Sequence, residues 1–218
     1  MSETNKQSLY HFHNCRGICK VAHLEKMRGC DARVQQGILP AAEMTAAADP
    51  NLRAWHGRRE LSWWGLVPMR EVLAAAFSVW EDIPGGDLRF VQNESEDGWR
   101  DADIVATIGE VDGENGTLAF AYLPGVSSQE PRDWWGDMVF DVADWNRALR
   151  DRDVSGLQEV AAHEIGHSVG LEHAENDRTA LMFPAFRGIG PVLGQYDVDE
   201  FLKRYPAASG CCCVGGST

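Results

Sequence analysis

Five positions in one eleven-residue stretch, His163, Glu164, His167, Gly170 and His173 in HEIGHSVGLEH, restrict this chain more than anything else in it. His163 and His167 stand four apart, about 40° of rotation on a helix, so both imidazoles leave one face a turn apart and reach a single ion. The stretch must therefore be helical as far as His167. Gly170, three residues on, adopts backbone angles that other residues resist, so the chain can leave the helix there and bring His173 round as a third ligand. Glu164 lies beside the first ligand, placed to act as general base on a water in the open position of a zinc ion. Three histidines at ligand spacing with a glutamate between them weigh against imidazoles that merely pack in a core.

The segments before this stretch supply its scaffold. Ser155-Gly156-Leu157-Gln158 fits a capping box that starts the helix, with Glu159 in the first turn, and Leu157, Val160, Ala161 and Ile165 give it an apolar side. Upstream, 59–67 reads as a strand and 68–81 as a helix with Leu73, Phe77 and Trp80 on one stripe, ended by Ile83-Pro84-Gly85-Gly86. Short β-type runs follow at 88–92, 102–109, 117–123 and 137–142, separated by Gly, Asp, Asn and Pro clusters. A strand, a helix and further strands make a mixed α/β sheet.

Charge narrows the partners. The formal net charge is −13, and residues 81–160 account for all of it with 19 Asp and Glu against 6 Arg. Nucleic acid binding relies on clustered Lys and Arg that the chain lacks, so nucleic acid is excluded. The acidic block is either a solvated face or a place for calcium, which prefers oxygen ligands. The longest apolar stretch, Leu73–Trp80, is far short of the roughly 20 residues that span a bilayer, so no transmembrane segment is expected. The first 30 residues lack the apolar run and cleavage site of a secretory signal, which points to a cytoplasmic location or non-classical export. The six cysteines, at 15, 19, 30, 211, 212 and 213, leave everything between them free of disulfides. Three divisions follow: an N-terminal segment 1–53, a catalytic domain 54–206 and a flexible Cys-rich tail 207–218.

Beyond the histidines, VAAHEIGHSVGLEH is followed by Leu181-Met182-Phe183-Pro184, and preceded by GTLAFAYLPG at 116–125, ADIV at 102–105 and a helix ending FSVW, with VDEFLKRYP closing the order. In these motifs the chain resembles the matrixins, the matrix-metalloproteinase-like catalytic domains among the metzincins, over roughly 53–206. The resemblance implies a Met-turn at Met182 beneath the zinc, and an edge strand through Ala119 and Ala121 that pairs with extended substrate. It also implies a pocket wall at Pro184 and Phe186 for the residue after the cleaved bond. Calcium-type positions of the family fall on Asp112, Asp141 and Asp144, to be weighed against a plain acidic loop.

The departures from the family pattern carry information too. Phe120 and Val139 stand where matrixins carry histidines for a second, structural zinc, so only the catalytic zinc is expected. Ala174 replaces the usual serine after the third ligand, and Tyr196 precedes Asp197 where an Asp pair is usual. Arg28-Gly29-Cys30-Asp31 faintly resembles the family's inhibitory motif, in which a thiol occupies the fourth zinc position; an ordinary thiol is the competing reading for Cys30.

The expected molecule is a metzincin-type α/β (α+β) domain with a twisted, mixed five-stranded sheet, an active-site helix and a small C-terminal subdomain. It is expected to act as a monomer on a protein or peptide substrate, as a zinc-dependent endopeptidase in which a zinc-bound water attacks the peptide bond with Glu164 as general base. The alternative is a zinc-binding pseudoprotease that holds a peptide in the same cleft without turnover.

Overall fold

In the computed structural model, residues 52–125 and 134–207 are described; Cys30, most of segment 1–53 and the cysteines at 211–213 lie outside them. The sheet has five strands: β1 (Glu60–Gly65), β2 (Arg89–Gln92), β3 (Ile104–Gly109), β4 (Ala119–Ala121) and β5 (Met138–Asp141), in the order β2-β1-β3-β5-β4. β1, β2, β3 and β5 run parallel, and β4 joins β5 antiparallel at the sheet edge with Phe120 opposite Val139. Every residue of β3 and β5 is buried, which is why IVATIG and MVFD read as mainly apolar runs, interrupted by Thr107 and ended by the buried Asp141, rather than as alternation.

Helix α1 (Arg70–Glu81) follows β1 through a 3-10 turn at Val67–Met69, with Pro68 held in the turn rather than in the helix. Its buried side chains Val72, Leu73, Ala76, Phe77 and Trp80 recur at helical spacing and form one apolar face. Phe77 stacks on Trp63 of β1 at 4.8 Å, and Trp80, fully buried, donates its indole N–H to the carbonyl of Ala162 at 2.8 Å. Trp80 thus ties α1 to the helix that carries the histidines.

A 3-10 turn at Gly98–Arg100 and three further α-helices complete the described residues: α2 (Val142–Asp151), α3 (Val154–Ser168) and α4 (Gln195–Arg204). The sequence reading places no helix between β5 and α3. α2 forms because the Asp141 carboxylate caps it, accepting from the N–H groups of Ala143 and Asp144, and because Trp145 packs on Phe140 at 5.4 Å. The start of α3 also differs from expectation: Asp153 is the N-cap and accepts from Gly156 N, so Ser155 lies inside the helix and Glu159 beyond its first turn. No helix among the described residues is long and apolar enough to cross a membrane.

Candidate metal centre and substrate groove

The three histidines meet as their spacing demands. Nε2 of His173 lies 3.3 Å from Nε2 of His163 and 3.0 Å from Nε2 of His167. Among the described residues this is the one group of three or more ligand-type side chains near enough to share an ion. Two ring orientations are fixed from behind. Nδ1 of His163 lies 2.8 Å from the Leu181 carbonyl and Nδ1 of His167 lies 2.8 Å from the Leu171 carbonyl. A carbonyl can only accept, so each Nδ1 carries the proton and each Nε2 presents its lone pair. Burial pulls His163 down to about 4 and His167 down to about 3, which keeps both in the neutral, ligating form near neutral pH. Zinc–nitrogen bonds of about 2.0–2.1 Å at tetrahedral angles put ligand nitrogens roughly 3.3 Å apart, so the donor set and its spacing fit zinc.

Gly170 makes the third ligand reachable. Its φ of +101° is left-handed backbone, and a Cβ there would sit 2.1 Å from the Arg53 carbonyl oxygen. Arg204 Nε, on α4, donates to the carbonyls of both Gly170 and Arg53, which locks the exit from α3 against the start of the domain. Met182 packs against α3 at Gly166, between the two helical histidines: it is fully buried, and a Cβ at Gly166 would meet its sulfur at 2.3 Å. Only glycine between the two helical histidines lets Met182 pack this close.

Glu164 is 6 % exposed, and its Oε2 has no hydrogen-bond partner. Burial pushes its carboxyl up to about 8. It opens on a groove of about 1390 Å³ lined by the three histidines, by Ala119 and Ala121 of β4, and by the wall Phe183–Phe186. Since Tyr122 N and Leu118 O bond to β5, the alternating backbone groups of Ala119 and Ala121 face the unpaired sheet edge. The structure thus brings Pro184, Phe186, Ala119 and Ala121 to the same groove as the histidines.

Asp112, Asp141 and Asp144 gather at one loop, where they fold backbone. Asp141 Oδ2 accepts from the N–H groups of Val111, Asp112 and Gly113, and Oδ1 from those of Ala143 and Asp144. Burial works to raise the Asp141 carboxyl, but these N–H bonds together hold it below its ordinary value. Asp112 accepts from Thr117 N and Oγ1, and Asp144 from Asn115 N and Arg147. Glu159, which lines the groove, and Arg187, which pairs with it, have no site role that the sequence predicts. Glu159 accepts four N–H groups of the segment 187–190, and Arg187 lies 3.5 Å from it. Partners about 30 residues away leave no trace in local pattern.

Comparison with known proteins agrees with this geometry. The matrixin family model matches residues 66–201. Over 128 residues the chain is 36% identical to matrix metalloproteinase-16 of Homo sapiens, covering 54% of this chain and 20% of that protein. It is 34% identical over 153 residues to the hatching enzyme of Paracentrotus lividus, covering 65% and 23%. It is 42% identical over 96 residues to the interstitial collagenase of Oryctolagus cuniculus, covering 43% and 18%. The chain therefore spans about a fifth of the length of these relatives. Since the family model takes in more than half of the chain, including every histidine of the triad and the Met182 turn, the protein belongs to the matrixin family of zinc metalloendopeptidases.

Proposed function

We propose that the chain hydrolyses internal peptide bonds of an extended protein or peptide substrate. One observation carries the reading: three Nε2 atoms converge beside a buried carboxylate oxygen that has no partner, in a groove bordered by an unpaired strand edge. His163, His167 and His173 would hold zinc through Nε2. Zinc, when bound, supplies Lewis acidity to the peptide carbonyl and acidifies water. Burial alone would leave Glu164 protonated, but the positive charge of a metal on the three histidines would return it to the carboxylate, which can then take a proton from the attacking water at its free Oε2 and pass it to the leaving amine. The outward backbone groups of Ala119 and Ala121 bind the substrate as an added strand and set the peptide across the histidines. Pro184 and Phe186 receive the side chain that follows the cleaved bond, and Met182 supports the helix at Gly166. The catalytic unit is 54–206.

A domain that only held peptides would gain nothing from burying an unpartnered carboxylate beside the metal ligands, since that carboxylate costs stability. The test is the zinc content of the purified chain together with cleavage of a quenched peptide library. One zinc per chain with cleavage, both lost in His167→Ala, supports the reading; a chain that takes up no zinc, or carries zinc and cleaves nothing, contradicts it.

A further inference from the structure

The loop 110–118, between β3 and β4, delivers the edge strand to the groove, and its Asp112, Asn115 and Gly116 line that groove together with Arg147 of α2. Three carboxylates shape it. Asp141 spends Oδ2 on the N–H groups of Val111, Asp112 and Gly113, and Oδ1 on those of Ala143 and Asp144. Asp112 turns back on its own loop: its oxygens accept Thr117 N and Oγ1, and a Cβ on Gly116 would lie 2.5 Å from its Oδ1. Asp144 Oδ1 accepts Asn115 N at 3.0 Å. One residue before Ala119, the Leu118 carbonyl accepts Asp141 N at 2.8 Å, so whatever fixes the loop also fixes the start of β4.

These acids stand at calcium-type positions, yet their arrangement does not fit the ion. Calcium takes roughly six to eight oxygens gathered about one point. Among the described residues only the histidine triad brings three ligand atoms within 4.8 Å of one another, so Asp112, Asp141 and Asp144 do not converge. Their oxygens already face the positive ends of N–H and O–H dipoles. Of the six, Oδ2 of Asp144 alone lacks a hydrogen-bond partner, and one free oxygen is far from a coordination shell.

A cation is nevertheless in place, and it belongs to the chain. Arg147 lies one helical turn after Asp144; its Nη2 is 2.8 Å from Asp144 Oδ1, and its Nη1 donates to Asn115 Oδ1. The Asp144 side chain is only 5% exposed and that of Arg147 33%, so the guanidinium compensates a carboxylate that water scarcely reaches. Arg150 reaches Glu114 Oε1 at 3.0 Å, but both are exposed and that pair contributes little. We propose that Arg147 is the loop's own counterion: by bridging Asp144 and Asn115 it holds residues 110–118, and through them β4, so that this chain sets its edge strand without calcium. The inference concerns how the groove is built and holds whether or not the groove cleaves.

The test uses the full chain dialysed into calcium-free buffer with zinc supplied, beside Arg147→Met, which keeps the stem without the charge, and Arg147→Lys, which keeps a cation. Calcium binding is read by titration calorimetry up to about 1 mM, the upper end of the range for calcium modules. Thermal unfolding and amide hydrogen exchange at 111–118 are read with and without calcium. The parent should take up no calcium and keep its Tm. Arg147→Met should lower Tm by about 2–4 °C and speed exchange at 111–118 by about tenfold, while amides of α1 keep their protection. Arg147→Lys should lie closer to the parent than Arg147→Met in both readouts, and it serves as the probe should the methionine variant fail to fold. Calcium uptake by the parent with a raised Tm overturns the proposal. So does an Arg147→Met chain that matches the parent, or a lysine variant as impaired as the methionine one.

Discussion

Asp197 and His163 are joined through one peptide unit. The Asp197 carboxylate accepts the N–H of Leu181 at 2.6 Å and that of Met182 at 3.0 Å, and the Leu181 carbonyl accepts Nδ1–H of His163 at 2.8 Å. Asp197 also accepts Gly194 N at the start of α4. The last helix thus holds the Met182 turn, and the turn holds a histidine in its ligating tautomer.

Asp197→Asn keeps the shape but supplies only one acceptor oxygen to three N–H groups. Leaving buried donors unpaired costs on the order of 2–3 kcal/mol, to be read from chemical denaturation. The same change should weaken zinc binding by about 10- to 100-fold in a competition titration, because the support behind His163 is loosened. Equal zinc affinity in a folded variant would separate the turn from the metal centre.

Gly166→Ala and Gly170→Ala fail for different reasons. At 166 the new methyl strikes Met182 Sδ and the Trp80 ring, and at 170 it strikes the Arg53 carbonyl in left-handed backbone. Each should cost about 2–4 kcal/mol. The pairing with a small partner distinguishes them: Met182→Ala should partly rescue Gly166→Ala and leave Gly170→Ala unaffected, as a double-mutant cycle in thermal unfolding would show.

The histidine triad was legible because a spacing of four on a helix and one glycine exit are local rules. Trp80 and Phe77 were legible for the same reason. What the pattern could not supply were carboxylates spent on distant backbone. Glu159 reads as an anion favourable to a helix start, whereas the N–H groups it serves belong to residues 28–31 positions later. Asp141 reads as an oxygen donor for a cation, and the structure uses both its oxygens on five N–H groups. α2 was missed although Asp141 begins it, because its ten residues are polar on balance and bury only Asp144 and Trp145, so no pronounced apolar run marks it in an acidic stretch.

Tyr205 gives the protein an alkaline limit. Its hydroxyl donates to the Val169 carbonyl at 2.8 Å and accepts Trp55 N at 3.0 Å, and burial raises it well above its ordinary value of 10.0. The unfolded chain ionises near that ordinary value while the folded one does not. Stability is therefore level below about pH 10 and falls as pH rises beyond it. Tyr205→Phe should cost about 1–2 kcal/mol at neutral pH by orphaning Trp55 N, and should flatten the alkaline fall in a pH series of unfolding curves.

The central claim is that His163, His167 and His173 form a centre at which Glu164 moves the proton in peptide-bond hydrolysis. Its most direct test is cleavage of unfolded casein by the zinc-loaded chain and by Glu164→Gln, using both the full chain and a chain starting at residue 54. The account predicts cleavage by the parent and a loss of about 10²- to 10⁴-fold in the variant, with zinc content unchanged. Equal rates for parent and variant, or no cleavage by either form of the zinc-loaded parent, would contradict it.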